Sequence, residues 1–184
     1  MRRVLFFMLV SANGYYERAP WDIDWHMVDA EFNTFAEEQL DSVDTILFGR
    51  KTYEGMASYW PTPEAIAADP GTARRMNEKA KVVFSKTLPR AEWNNTHLVK
   101  GDAAAELRRL KDEPGKDIAI FGSSDLTASL AVAGLVDEFR ILVNPLALAS
   151  GRPLFAGLTQ DLALRLVGTR TFGNGNVLLR YVPG

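Results

Sequence analysis

The chain of 184 residues contains no cysteine and only two histidines. Without cysteine, the protein has no disulfide, no thiolate nucleophile and no zinc site built on thiolates. His26 and His97 form no HxH or HxxxH pair, so we expect no histidine-based metal site. The GxSxG, GxGxxG and P-loop fingerprints are also absent, which disfavours serine hydrolases, Rossmann dehydrogenases and P-loop enzymes.

The sequence also lacks a large excess of charge and a long apolar run. It has 21 basic and 23 acidic residues, for a net charge of −2, so nucleic acid is not an expected partner. No apolar run reaches the ~18 residues that a membrane span needs. The start, Met1-Arg2-Arg3 followed by the apolar run 4–10, imitates a signal peptide. The run is short and ends in a turn, so we interpret it as a buried strand and expect a cytoplasmic protein.

Short apolar strands alternate with helical stretches along the chain. The predicted strands are 4–10, 45–48, 81–84, 97–99, 117–121 and 138–146. Predicted helices lie at about 27–41, after Gly49, within 63–79, at 103–111 and after Ser124. Segments 162–171 and 177–182 predict a final antiparallel hairpin. This order predicts one α/β domain over residues 1–184, with a mixed, mostly parallel sheet.

Three of the predicted strands end in a polar or glycine-containing turn. The turns are Gly49-Arg50-Lys51-Thr52, Ser85-Lys86-Thr87 and Gly122-Ser123-Ser124. Ligands of open α/β sheets bind beyond the carboxyl ends of the strands, and the first turn of a helix favours phosphate. Arg50, Lys51 and Lys86 supply cations of the kind that bind an extra ribose phosphate. Together the turns fit NADPH, although each alone is also typical of an ordinary turn or helix cap.

Aromatic and acidic side chains suggest where a substrate and a proton donor could lie. Trp21, Trp25, Tyr53 and Trp60 are candidates to wall a flat heterocycle, with core packing as the alternative. Acids gather around the start of the first helix, and Asp29 or Glu31 is the candidate proton handler. The alternative is that these acids lie in solvent and complement the helix dipole.

Six segments resemble one known family when they are taken in order. They are 11–14 (SANG), 47–54 (LFGRKTYE), 81–88 (KVVFSKTL), 120–123 (IFGS), 135–145 (LVDEFRILVNP) and 151–155 (GRPLF). Over nearly its whole length the chain resembles the dihydrofolate reductase-like family, specifically the reductase domain of the bifunctional riboflavin-biosynthesis deaminase-reductases. The resemblance implies a three-layer fold with a sheet of eight or nine strands. It also implies NADPH at the strand ends and hydride transfer to a ring or an opened ribose.

The resemblance assigns a role to each turn. The adenosine side of the cofactor would bind to Arg50, Lys51 and Thr52. The ribose phosphate would bind to Ser85, Lys86 and Thr87. The pyrophosphate would lie on Gly122, Ser123 and Ser124 with Leu126. We expect the substrate beside Asn13, Gly14, Trp25, Tyr53 and Trp60. Because related reductase domains pair, the strand through Ile141 and the stretch 142–148 predict a homodimer interface.

Departures from the family pattern leave three functions open. Asn13 stands where the family usually has aspartate, and an amide cannot donate a proton as a carboxylic acid does. Folate reductases clamp the substrate carboxylate with an arginine, and the region of Lys79 and Lys81 offers only lysines. The first hypothesis is an NADPH-dependent reductase of a pyrimidine, pterin or ribosylamino-pyrimidine. The alternatives are a non-catalytic module that binds a nucleotide or pterin, and a true dihydrofolate reductase.

Overall fold

The structure is a computed structural model that describes residues 1–18 and 22–184. Its strands are β1 (Val4–Ser11), β2 (Tyr15–Glu17), β3 (Val43–Gly49), β4 (Ala80–Phe84), β5 (Thr96–Val99), β6 (Asp117–Phe121), β7 (Glu138–Asn144), β8 (Arg152–Pro153), β9 (Leu164–Thr171) and β10 (Val177–Pro183). Its helices are α1 (Ala30–Ser42), α2 (Arg50–Tyr59), α3 (Pro63–Ala68), α4 (Pro70–Glu78), α5 (Ala103–Asp112) and α6 (Ser124–Val132).

Eight strands form the main sheet, in the order β5-β4-β3-β6-β1-β7-β10-β9. The strands from β5 to β7 in this order are parallel, and β10 pairs antiparallel with both β7 and β9. This arrangement confirms the predicted α/β class, the mostly parallel sheet and the C-terminal hairpin. The strands β2 and β8 form a separate antiparallel pair. Within the described ranges, no helix has both the length and the apolar character required to cross a membrane.

The central strand β1 shows why the fold has three layers. Successive side chains of a strand point to opposite faces of the sheet. Leu5 and Phe7 pack on one face with apolar residues of α1, α2 and α4. Val4 and Phe6 pack on the other face with residues of α5 and α6. A strand covered on both faces needs a continuous apolar run, which confirms the reading of residues 4–10 as a buried strand.

The segment before α1 differs from the prediction, because the helix begins at Ala30 rather than near residue 27. Met27 is held in a non-helical position through its backbone. Its N–H donates to Asn144 Oδ1 over 2.9 Å, and its carbonyl accepts from Asn174 and Asn176 over 3.2 and 2.8 Å. These three contacts fix segment 22–29 against the ends of β7 and β10, and they leave Val28 exposed.

Only part of the predicted subunit interface is exposed, at residues 145–147. Ile141, Leu142 and Leu148 are buried within the chain itself, so these side chains are not available to a second copy. Leu146 is exposed, but it stands beside the turn after β7 rather than on a continuous apolar strand face. Formation of a homodimer stays a prediction.

We expect the Asn144→Asp variant to lose about 2–4 kcal/mol of unfolding free energy. Asn144 is fully buried, and its Nδ2 donates to the carbonyls of Val10 and Leu142 over 3.3 and 3.4 Å. Aspartate would place a carboxylate oxygen against these two acceptors. Urea denaturation measures the loss, with Asn94→Asp, at an exposed position, as the matched control. Equal stability of the two variants would show that the buried contacts contribute little.

Candidate functional site

The sheet order brings the three predicted turns to one edge of the molecule. The strands β4, β3 and β6 are direct neighbours, with Gly49 in register with Phe84 and Leu47 in register with Ile120. Because the three strands are parallel, their carboxyl ends meet at the same edge. The turns that follow them are therefore side by side, as the sequence predicted.

Two of these turns are joined by hydrogen bonds. Ser123 Oγ accepts from the Gly49 N–H over 2.9 Å, and the Ser123 N–H donates to Thr52 Oγ1 over 3.1 Å. Gly122 and Ser123 both have left-handed backbone conformations, with φ of 66° and 56°. A Cβ on Gly122 would lie 3.0 Å from Thr52 Cγ2. The left-handed backbone and the tight contact with Thr52 together favour glycine at position 122.

A cavity of about 180 Å³ lies between these two turns and the small β2–β8 sheet. Its lining includes most of the predicted cofactor residues, namely Arg50, Lys51, Thr52, Ser123, Ser124 and Leu126. The volume is below the range of about 300–1,000 Å³ typical of complete small-molecule sites. The cavity therefore suits the phosphate portion of a dinucleotide, and the rest of such a ligand would extend over the strand ends.

The charges around this cavity are mixed but suit an anion. Arg50, Lys51 and Arg152 supply positive charge, while Glu17 and Asp125 supply negative charge. The helices α2 and α6 both begin at the cavity, and neither of their cap residues provides a side-chain acceptor for the first turn. The first-turn amides and the helix dipoles favour a phosphate group there. The residues present therefore fit the pyrophosphate of a dinucleotide cofactor.

The third turn lies outside the lining of this cavity. Ser85 Oγ accepts from the N–H groups of Thr87 and Leu88 over 3.2 and 2.9 Å, which closes the turn after β4. Lys86 and Thr87 are exposed on it. The strands β3 and β4 are neighbours, and Arg50 follows β3 directly. The exposed Lys86 therefore lies on the turn next to the one that contains Arg50.

Tyr53 and Trp25 are packed in the core, which was the alternative to the predicted aromatic wall, and their contact with a substrate stays a prediction. Tyr53 is 4% exposed, and its hydroxyl accepts from the Trp93 N–H over 3.0 Å within the core. Successive helix residues point about 100° apart, so Thr52 faces the small cavity while Tyr53 faces away from it. Trp25 is buried and its Nε1 donates to the Asp22 carbonyl. Trp21 lies outside the described residues.

Trp60 also stands apart from the strand-end turns. It follows the last residue of α2, about 15 Å along the helix from Arg50 at 1.5 Å per residue. Its Nε1 donates to Met56 Sδ over 3.1 Å, and its ring packs partly against the core. Trp60 therefore lies at the end of α2 that is remote from the strand-end turns, and its contact with a substrate stays a prediction.

A larger cavity, of about 650 Å³, lies on the other side of α2. Its lining includes Tyr53, Asn77 and Trp93. Asn77 uses both ends of its amide, accepting from Trp93 Nε1 over 2.7 Å and donating to the Trp60 carbonyl over 3.0 Å. Because these polar groups already bond each other, we place the functional site in the smaller cavity despite its size. Among residues 1–18 and 22–184, no cluster of acids and histidines could hold a metal ion.

Asn13 and Gly14 form the turn at the end of β1, where the family aspartate was missing. Asn13 Oδ1 accepts from Ser11 Oγ over 2.8 Å and from the Leu148 N–H over 3.0 Å, and its Nδ2 donates to the Leu148 carbonyl over 2.9 Å. Gly14 has a φ of 83° and its N–H donates to the Ser11 carbonyl. The amide of Asn13 thus ties this turn to the loop after β7.

The two candidate proton handlers have structural partners. Asp29 caps α1, with Oδ1 accepting from the Phe32 N–H over 2.9 Å. Glu31 accepts from the Gly173 N–H over 2.9 Å and from Arg170 over 3.0 Å, and these hydrogen bonds lower its pKa below the usual value. A carboxylate with a lowered pKa is ionised at neutral pH and has no proton to donate. These structural contacts favour the alternative interpretation of the two acids, and proton transfer by either of them stays a prediction.

Four residues of the cavity wall were missed in the sequence: Tyr16, Glu17, Asp125 and Arg152. Arg152 belongs to the GRPLF segment, which marked the resemblance but indicated no chemistry by itself. Tyr16 and Glu17 follow the turn at the end of β1 and had no motif. Pairing of β2 with β8 brings these distant segments together, which no local pattern could indicate.

The sheet order, the flanking helices and the adjacent turns at the strand ends define the dihydrofolate reductase-like class of α/β proteins. The chain belongs to the family described as the RibD C-terminal domain, whose model matches residues 2–178. The resemblance noted in the sequence is thereby confirmed at the level of the family.

Individual relatives agree with this assignment. The uncharacterised protein YyaP of Bacillus subtilis is 34% identical over 98% of this chain and 94% of its own length. A diaminohydroxyphosphoribosylaminopyrimidine deaminase/5-amino-6-(5-phosphoribosylamino)uracil reductase of Thermotoga maritima has a TM-score of 0.69 at 14% identity, over 100% of this chain and 57% of its own. A dihydrofolate reductase of Enterococcus faecalis, complexed with NADP(H) and RAB-propyl, has a TM-score of 0.66 at 15% identity, over 99% and 96%. At these identities the two structures establish the shared fold.

Proposed function

We propose that the protein is an NADPH-dependent reductase that transfers a hydride to a small heterocyclic or ribosylamino-pyrimidine substrate, as a 5-amino-6-(5-phosphoribosylamino)uracil reductase does. The observation that carries the proposal is the joined pair of turns, in which a Cβ at position 122 would lie only 3.0 Å from Thr52 Cγ2 on a left-handed backbone. Two uncapped helix starts and the cations Arg50 and Lys51 surround that pair. This combination suits a doubly charged pyrophosphate.

Each group of residues has a distinct part in the proposal. Arg50, Lys51 and Thr52 hold the adenosine side, Ser85 to Thr87 hold the ribose phosphate, and Gly122 to Ser124 with Leu126 hold the pyrophosphate. When bound, NADPH supplies the hydride. The strand β1 is the neighbour of β6 and continues beyond it, so the turn at Asn13 and Gly14 is where we place the substrate. The chain's contribution is to bind, to orient and to exclude water.

Two observations bear on the alternative functions. Lys79 Nζ donates to the Val43 carbonyl, and Lys81 Nζ donates to three carbonyls at the end of α4, so neither is arranged to clamp a folate carboxylate. This disfavours a true dihydrofolate reductase. The hydrogen-bonded amide of Asn13 favours the non-catalytic module as the second candidate, because this turn contains no acid. Saturable NADPH binding without oxidation by any pyrimidine or pterin tested would favour that module.

We expect the wild-type protein to bind NADPH more tightly than NADH, and the Arg50→Ala variant to lose most of that preference. Arg50 belongs to the adenosine side, and the ribose there carries an extra phosphate in NADPH that NADH lacks. Removal of the arginine should therefore weaken NADPH binding roughly tenfold and NADH binding much less. Isothermal titration calorimetry with both dinucleotides measures the ratio.

The matched control for Arg50→Ala is Arg74→Ala. Both arginines pair with a glutamate four residues later on a helix, Arg50 with Glu54 and Arg74 with Glu78. Arg74 lies on α4, outside the lining of the small cavity. If both variants changed the ratio equally, or if the wild type bound neither dinucleotide, the proposed cofactor would be rejected.

A further inference from the structure

Arg152 joins two acids across the wall of the small cavity. Its Nη1 donates to Glu17 Oε1 over 3.3 Å, and its Nη2 donates to Asp125 Oδ2 over 3.2 Å. Its guanidinium lies 5.5 Å from the centre of the Tyr16 ring. All four side chains line the cavity into which α2 and α6 begin. A guanidinium therefore stands opposite the turn to which the proposed function assigns a pyrophosphate.

The two acids that bind Arg152 differ in their surroundings. The side chain of Glu17 is only 9% exposed, whereas that of Asp125 is 69% exposed. A buried carboxylate is costly to separate from its cation, so Glu17 is the fixed partner. An exposed ion pair contributes little, so the contact with Asp125 is readily exchanged. Arginine also binds phosphate in a bidentate manner, which makes a phosphate the stronger competitor for the same N–H groups.

We infer that Arg152 is a ligand of the cofactor pyrophosphate and that Asp125 is an internal competitor, which occupies the guanidinium until the cofactor displaces it. This inference rests on the function proposed above. Glu17 keeps its hydrogen bond throughout and holds the guanidinium at the cavity wall. Binding of the anion replaces one carboxylate contact by a phosphate contact, and no covalent bond changes.

The position of Arg152 distinguishes the pyrophosphate from the ribose phosphate. Arg152 bonds Asp125 in the first turn of α6, the helix that follows the pyrophosphate turn. Arg50 lines the same cavity but belongs to α2, and Ser85 to Thr87 lie outside the lining. NADH and NADPH share the pyrophosphate and differ in the ribose phosphate. Changes at Arg152 and Asp125 should therefore alter binding of both dinucleotides by the same factor, in contrast to Arg50→Ala.

The test measures dissociation constants of NADPH and NADH for the wild type, Asp125→Asn, Arg152→Gln and the double variant. We expect Asp125→Asn to bind both dinucleotides roughly threefold more tightly, because a competing negative charge is removed. We expect Arg152→Gln to bind both on the order of tenfold more weakly. In the double variant the gain from Asp125→Asn should largely disappear, since its mechanism acts through Arg152.

Arg109→Gln and Glu113→Gln are the matched controls, because they break an exposed arginine–glutamate pair at the C-terminal end of α5, outside the cavity lining. Both should bind the dinucleotides as the wild type does. Arg152→Gln leaves the buried Glu17 without this partner, so the exposed Asp125→Asn variant gives the decisive measurement if Arg152→Gln unfolds. Unchanged or weaker binding by Asp125→Asn, or a changed NADPH-to-NADH ratio, would overturn the inference. Failure of the wild type to bind either dinucleotide would instead reject the proposed function on which it rests.

Discussion

A Gly122→Ala variant should bind NADPH roughly 10- to 100-fold more weakly than the wild type, which corresponds to the loss of one or two charge-assisted hydrogen bonds. The added Cβ would lie 3.0 Å from Thr52 Cγ2, and the φ of 66° is one that alanine rarely adopts. Thr52 must shift by a few tenths of an ångström to admit the methyl group. That movement stretches the bonds of Ser123 to Gly49 and Thr52, which hold the helix starts together. Calorimetric titration with NADPH measures the effect.

Gly134→Ala separates backbone strain from the steric effect at the site. Gly134 has a φ of 69°, nearly that of Gly122, but nothing lies within 4 Å of a Cβ placed there. Both variants should therefore lose about 1–2 kcal/mol of stability from the left-handed backbone. Only Gly122→Ala should also lose NADPH binding. Similar dissociation constants for the two variants would show that the contact between the turns does not shape a cofactor site.

A Glu138→Gln variant should lose about 3–5 kcal/mol of unfolding free energy. Glu138 is 2% exposed and accepts from Arg140 and Arg180 over 2.7 and 2.8 Å, and from Arg3 over 2.9 Å. Arg140 and Arg180 lie directly opposite each other on β7 and β10. Like charges in that position repel, and the carboxylate between them offsets the repulsion. Chemical denaturation measures the loss, with the exposed Glu92→Gln, whose partner is Arg90, expected to stay within about 0.5 kcal/mol.

The same residue predicts how stability depends on pH. Burial alone would raise the pKa of Glu138, but the hydrogen bonds from Arg180 and Arg140 outweigh it and lower the pKa from 4.5 to about 2. The unfolded chain therefore binds a proton more readily than the folded protein. The stability that Glu138 contributes is present above about pH 4.5 and is lost as the pH falls towards 2. Glu138→Gln should remove this part of the acid dependence, and an unchanged slope would contradict the role of the arginine pair.

Local patterns in the sequence were sufficient for the main elements of the fold. The continuous apolar run of β1 and the alternating strands β9 and β10 carry their periodicity within a few residues, so both were predictable. The turns after β3, β4 and β6 were found for the same reason, because each stands where an apolar run ends. Parallel strands then bring such turns to one edge, whatever the order of the strands between them.

Contacts between distant segments could not be predicted in this way. Asn13 bonds Leu148, and Glu17 bonds Arg152, each across 135 positions of the chain. The burial of the aromatic residues could not be predicted either, because composition does not reveal which side of a helix faces the core. Tyr53 is adjacent to Thr52 in the sequence, yet the helical rotation directs the two side chains to different cavities.

The way in which segment 22–29 is fastened has a consequence for evolution. The segment is held by hydrogen bonds of Asn144, Asn174 and Asn176 with the N–H and carbonyl of Met27. Every residue except proline has both of these backbone groups. Exposed side chains of the segment, such as Ile23 and Val28, can therefore be exchanged at little cost to folding. Substitutions in segment 22–29 can therefore change the chemistry of this surface while the fold stays the same.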